Sequence, residues 1–150
     1  MEIEKIKQLR SLTGAGVMDA KRALQENNNV LDAAVAALKE KGLAQAEKRA
    51  ERTAGSGIVY AYIHGDGQVG VLLELNCETS FVAKTDEFKK LAHELALQIA
   101  SMTPNSVDDL LAQPYIRDTK ITIEQMVKEL AGKTGENVRV GKFTRYEVSE

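Results

Sequence analysis

Between residues 58 and 76 the chain reads as two β-rich runs, 58–64 and 69–76, folded about Gly65-Asp66-Gly67-Gln68. Asp-Gly supplies the positive φ that a tight hairpin turn demands. Val69, Val71, Leu73 and Leu75 alternate onto one face while Glu74 and Asn76 look the other way, so the hairpin has one apolar side that helices must cover. The cover follows in sequence. Thr85 is placed to cap a helix whose first turn carries Asp86 and Glu87, and Phe88, Leu91, Ala92, Leu95, Ile99 and Met102 give that helix an apolar stripe. Pro104 and Asn105 end it. Thr122-x-x-Gln125 reads as a capping box ahead of Ile123, Met126, Val127 and Leu130, and Gly132 and Gly135 close that helix. Residues 137–148 form a last strand whose phase changes between Val140 and Tyr146, which requires either an edge position or a bulge at Gly141. These elements predict an α+β fold, with helices on one face of an antiparallel sheet.

The first 40 residues follow a different period. Ile3, Ile6 and Leu9 recur at helical spacing, Thr13-Gly14-Ala15-Gly16 breaks the run, and Met18, Ala20, Ala23 and Leu24 begin a second helix. Asn27-Asn28-Asn29 stops it, with Asn29 as the expected N-cap of a third helix through Leu31, Ala34, Val35 and Leu38. Residues 39–52 are rich in charge and alanine and read as a solvated helical tether. The expected organisation is a three-helix module with its tether over 1–54 and an α+β core over 55–150.

Composition narrows the function. With 20 Lys+Arg against 22 Asp+Glu the formal charge is -2, and nothing in it draws the chain to nucleic acid or a membrane surface. No apolar run approaches the roughly 18 residues of a membrane span, and the start MEIEKIKQLR lacks the apolar stretch of a signal peptide, so a cytoplasmic protein is expected. Cys77 is the single cysteine and reads as a small buried hydrophobe. His64 and His93 lie outside any metal-ligand spacing, and no nucleophile-elbow, phosphate-loop or dinucleotide motif occurs, so no metal, cofactor or catalytic residue is assigned. Glu74, Glu78, Asp86 and Glu87 are accounted for by a helix dipole and a solvated strand face.

Two segments carry a sharper reading beside a plain one. In Cys77-Glu78-Thr79-Ser80-Phe81-Val82-Ala83-Lys84, Phe81 or Val82 either staples the following helix to the sheet, or Phe81 projects as an interface anchor. In Thr13-Gly14-Ala15-Gly16-Val17-Met18, the readings are a turn with a core methionine, a small apolar binding surface at Val17 and Met18, or a phosphate-holding helix start.

The same residues carry a family resemblance. The run from Leu9 and Arg10 through Thr13-Gly14-Ala15-Gly16-Val17-Met18-Asp19-Ala20-Lys21-Arg22-Ala23-Leu24 resembles the N-terminal signature of bacterial elongation factor Ts. Glu74-Leu75-Asn76-Cys77-Glu78-Thr79-Ser80-Phe81-Val82-Ala83 resembles its second signature, and Gly135-Glu136-Asn137 with Arg145-Tyr146-Glu147-Val148 its closing segment. The resemblance implies a guanine nucleotide exchange factor for elongation factor Tu, in its GDP-bound and nucleotide-free states, with an N-terminal module similar to ubiquitin-associated domains. It implies a loop at Thr79, Ser80, Phe81 and Val82 pressed beside the partner's magnesium and phosphate site, with Phe81 wedging between helices, and a second grip through Val17 and Met18. The chain departs from the family in having Ser80 where an Asp is usual, and only a short link between Ile99 and Gln113 in place of a helical hairpin. The second core repeat of longer members is also missing, and short members are implied to pair as homodimers. Beside this stands another class of function, a helical adaptor that binds a partner without releasing nucleotide; an organellar matrix is the alternative location.

Overall fold

A computed structural model describes residues 1–149. Three helices come first, α1 (Glu2–Thr13), α2 (Val17–Glu26) and α3 (Leu31–Arg49). They close around Leu9, Ala20, Ala23, Leu24 and Ala34, with Ile6, Leu31, Val35 and Leu38 packed against them. Asn29 is not the cap of α3. Asn28 and Asn29 both adopt left-handed backbone, with φ 54° and 57°, and Val30 precedes the helix with no side-chain cap, so the asparagines make the turn instead.

The hairpin forms as β1 (Ser56–His64) and β2 (Val69–Cys77), antiparallel, with Gly65 and Gly67 at positive φ in the turn. A third strand, β5 (Arg139–Glu147), pairs antiparallel with the other side of β2, giving the order β1-β2-β5. The phase question at Gly141 resolves as both alternatives at once. β5 is an edge strand, and its register slips between Leu73↔Phe143 and Leu75↔Val140, leaving one extra residue opposite Glu74. A side chain at Gly141 would run into Glu74 and Asn76, so the bulge needs a glycine there.

Helix α5 (Asp86–Met102) lies across the inner face of the sheet, capped by the Thr85 hydroxyl, which accepts from the Phe88 N–H at 3.3 Å. Phe88, Leu91, Leu95 and Ile99 are buried as the stripe predicts, whereas Met102 is exposed at the helix end. Helix α7 (Ile123–Thr134) starts with the predicted Thr122–Gln125 capping box and ends at Gly135, φ 73°. Gly132 does not close it. It sits inside α7, where it meets Gly42 of α3.

That meeting changes the reading of residues 39–52. They are helical only through Arg49, where α3 ends, and not solvated throughout: α3 packs along α7, and Ala46 joins the core of the sheet layer. The link after α5 holds two elements with no clear period in sequence. They are α6 (Val107–Ala112) and a small ribbon of β3 (Pro114–Tyr115) with β4 (Asp118–Thr122). Two α5 side chains one turn apart hold that ribbon. Gln98 bonds the Pro114 carbonyl and the Ile116 N–H, each at 3.0 Å, and Glu94 accepts from the Tyr115 hydroxyl at 2.7 Å and pairs with Arg117 at 3.0 Å. Burial and the Glu94 bond push the Tyr115 hydroxyl up to about 12.

Among the described residues no helix covers the outer face of the sheet, which presents Val59, Ile63, Leu72 and Tyr146 to solvent. No helix among the described residues is long and apolar enough to cross a membrane.

Candidate functional site

The segment after β2 is built to hold one side chain out. Helix α4 (Ser80–Ala83) is a single turn pinned at both ends. The Thr79 hydroxyl accepts from the Val82 N–H at 3.4 Å, and the Thr85 hydroxyl donates to the Val82 carbonyl at 2.7 Å. Ala83 is buried and Val82 packs half-buried on the core, while Ser80 is exposed and Phe81 is 83% exposed. The structure thus divides the two readings of this loop between neighbours. Val82 does the stapling, and Phe81 projects. A phenyl ring left in water forgoes about 1.5–3 kcal/mol of burial, and folding gains nothing from it.

The loop is also clamped from a distance. One Glu136 carboxylate oxygen accepts from the Glu78 and Thr79 N–H groups, each at 3.0 Å, and the other accepts from the Thr79 hydroxyl at 2.6 Å. Glu78 returns the favour by accepting from the Asn137 N–H at 2.8 Å. The Asn137 side chain is buried and donates to the carbonyls of Ala50 and Arg52, at 3.2 and 2.6 Å. Local sequence gives Glu136 and Asn137 no role, since they stand 57 to 59 residues from the Glu78 and Thr79 groups they bond and no local pattern links them. The only signal was that both segments carried the family likeness. Beneath the loop, burial pushes the Cys77 thiol up, the Glu136 charge adds to it, and the thiol donates to the Thr79 carbonyl at 3.1 Å. A protonated, buried thiol is inert, which suits a packing role.

The second candidate surface lies at the junction of α1 and α2. Gly14 turns the chain at φ 71°, and it lies so close to the Lys133 carbonyl that a Cβ there would collide with it. The Thr13 hydroxyl bonds the Leu9 carbonyl at 2.6 Å, and Lys133 reaches the Ser11 carbonyl at 3.1 Å. On this fixed turn Val17 and Met18 open α2 with 49% and 69% of their surface exposed. Met18 is therefore not a core residue. Asp19 stands in the first turn of α2 and pairs with Lys41 at 3.5 Å, and its negative charge there disfavours an added anion.

Phe81 and the Val17–Met18 pair are thus two exposed apolar points, each on a short, hydrogen-bonded turn and each held by the same helical framework, the arrangement of a contact surface rather than of a catalytic pocket. The chain's sequence points the same way. Residues 78–150 match the elongation factor TS family. The chain is 40% identical to elongation factor Ts of Thermotoga maritima over 193 positions, covering 100% of this chain and 97% of that one. It is 42% identical to elongation factor Ts of Coprothermobacter proteolyticus, with 97% and 96% covered, and 40% identical to that of Carboxydothermus hydrogenoformans, with 97% and 88% covered. The chain belongs to the elongation factor Ts family. Because 193 aligned positions face only 150 residues, the T. maritima protein holds about 43 positions without a counterpart here.

Proposed function

We propose that this chain drives GDP from elongation factor Tu by seating Phe81 as a wedge while Val17 and Met18 grip the same partner. The activity itself goes with the family: the chain is a guanine nucleotide exchange factor for elongation factor Tu, not an enzyme. Such a factor needs no covalent chemistry. It binds the nucleotide-free partner more tightly than the GDP-bound one, and linkage then weakens the nucleotide by the same factor. The observation that carries the wedge is the 83% exposure of Phe81 on a turn fixed at both ends. With Ser80 neutral, the wedge acts without a carboxylate beside the partner's magnesium. Labelled-GDP release from elongation factor Tu, with and without the chain, tests the reading; a helical adaptor binds but leaves the release rate where it was.

Met18→Asp places a charge on the gripping surface and is expected to weaken partner binding by about fivefold, roughly 1 kcal/mol, with the circular dichroism of the parent. Calorimetry giving equal affinities removes the grip from this module. We also place the chain as a homodimer in the cytoplasm or an organellar matrix. The support for pairing is the uncovered outer face, where Val59, Ile63, Leu72 and Tyr146 lie together with Glu74, a patch that a two-fold axis can set against itself. Sedimentation showing only monomer at tens of micromolar excludes it.

A further inference from the structure

We propose that Glu136 is a positioning residue for nucleotide exchange: its carboxylate sets the pose of the Phe81 turn, and its neighbour Asn137 fixes that pose to the end of α3, the helix that carries the N-terminal module. The inference rests on the wedge reading of Phe81 and adds the residues that aim it. The Glu78 and Thr79 N–H groups at the end of β2 have no strand partner, and both point at one oxygen of Glu136, 3.0 Å away. The second oxygen takes the Thr79 hydroxyl at 2.6 Å, the shortest bond in the loop. Charge-assisted bonds of this kind are stronger than neutral ones. Thr79 is also the N-cap of α4, so its orientation determines where the next turn, and with it Phe81, points. Glu136 itself follows the αL residue Gly135 that ends α7, and it is therefore attached to a rigid element and not to a free loop.

The second half of the device is Asn137. Its N–H holds Glu78, and its side-chain amide bridges the Ala50 and Arg52 carbonyls just past α3, where Arg52 also lies 3.6 Å from Glu78. Three chain segments far apart in sequence meet in one hydrogen-bonded knot. A wedge must arrive already oriented, because ordering a free loop at the moment of binding takes away from the free energy left to displace nucleotide. Neither Glu136 nor Asn137 needs to touch the partner for this.

The test is a double-variant cycle read by GDP release and by hydrogen exchange at the Glu78 and Thr79 amides. Glu136→Ala is expected to slow release about fivefold and to strip protection from those two amides. Glu136→Gln, which keeps an oxygen for both N–H groups, is expected to recover most of the loss. In a Phe81→Ala background Glu136→Ala is expected to cost nothing further, because its effect runs through that ring. Parent-like release by Glu136→Ala, with Phe81→Ala itself impaired, overturns the positioning role and leaves the wedge standing. Losses that multiply in the double variant also overturn it, since they place the effect elsewhere. Parent-like release by Phe81→Ala removes the wedge and this proposal together. If Glu136→Ala does not fold, Glu136→Asp, which keeps the charge but withdraws the oxygens by one carbon, goes through the same cycle with the same expectations.

Discussion

Phe81→Ala is expected to slow GDP release from elongation factor Tu at least tenfold while the Tm of the free protein stays nearly where it was. Tenfold corresponds to about 1.4 kcal/mol, the scale of a single aromatic anchor at an interface. The unchanged Tm follows from position: the ring is 83% exposed, so its loss opens no cavity. Phe88, seven residues on and fully buried in α5, is the contrast, since its truncation is expected to cost about 3–5 kcal/mol of stability. Stopped-flow release and a thermal melt on both variants separate the roles. Should Phe81→Ala destabilise like Phe88→Ala, the ring is a staple and the wedge is lost.

The second large effect lies where α3 crosses α7, and it is asymmetric. A Cβ on Gly132 would come within 2.9 Å of the Gly42 backbone, closer than real Cβ atoms go, so Gly132→Ala has to push the helices apart. A Cβ on Gly42 meets the Gly132 Cα at an ordinary 3.5 Å. Removing a helical glycine brings roughly 1 kcal/mol in either case. For Gly42→Ala that gain is expected to survive. For Gly132→Ala overpacking of about 1–3 kcal/mol outweighs it, and the displaced module is expected to weaken the partner grip as well. Denaturant midpoints that move the same way for both variants would falsify the close-approach account.

Much of this was visible in the sequence wherever one residue's neighbours decide its state. The hairpin around Gly65–Gln68, the Thr85 cap, the Thr122 capping box and the buried face of Val69, Val71, Leu73 and Leu75 all follow from local period and turn chemistry. What sequence missed is non-local. Residues 39–49 look solvated because lysine and glutamate cover most of their surface, yet Gly42 and Ala46 supply a narrow seam just wide enough for α7. Gly132 looks like a helix stop until its partner across the seam is known. The ribbon after α6 has too few residues for a period to show, and what keeps it in place is Gln98 and Glu94 on a helix that precedes it. At the loop, Phe81 stood out by its chemistry, but whether it faced in or out depended on Val82 taking the inner position. The Glu136 and Asn137 clamp had no local signature at all.

Helix α3 spans 19 residues, about 28 Å at 1.5 Å per residue, with the three-helix module at one end and the knot around Asn137 just past the other. Seamed to α7 from Lys39 to Arg49, it holds a fixed span between Met18 and Phe81, as a gauge does. A gauge accepts only an object whose two faces stand at the set distance. A partner whose surface elements shift on losing nucleotide would fit that span in one state and mismatch it in the other, so if Met18 and Phe81 both contact it, the fixed length of α3 would contribute to telling the two states apart.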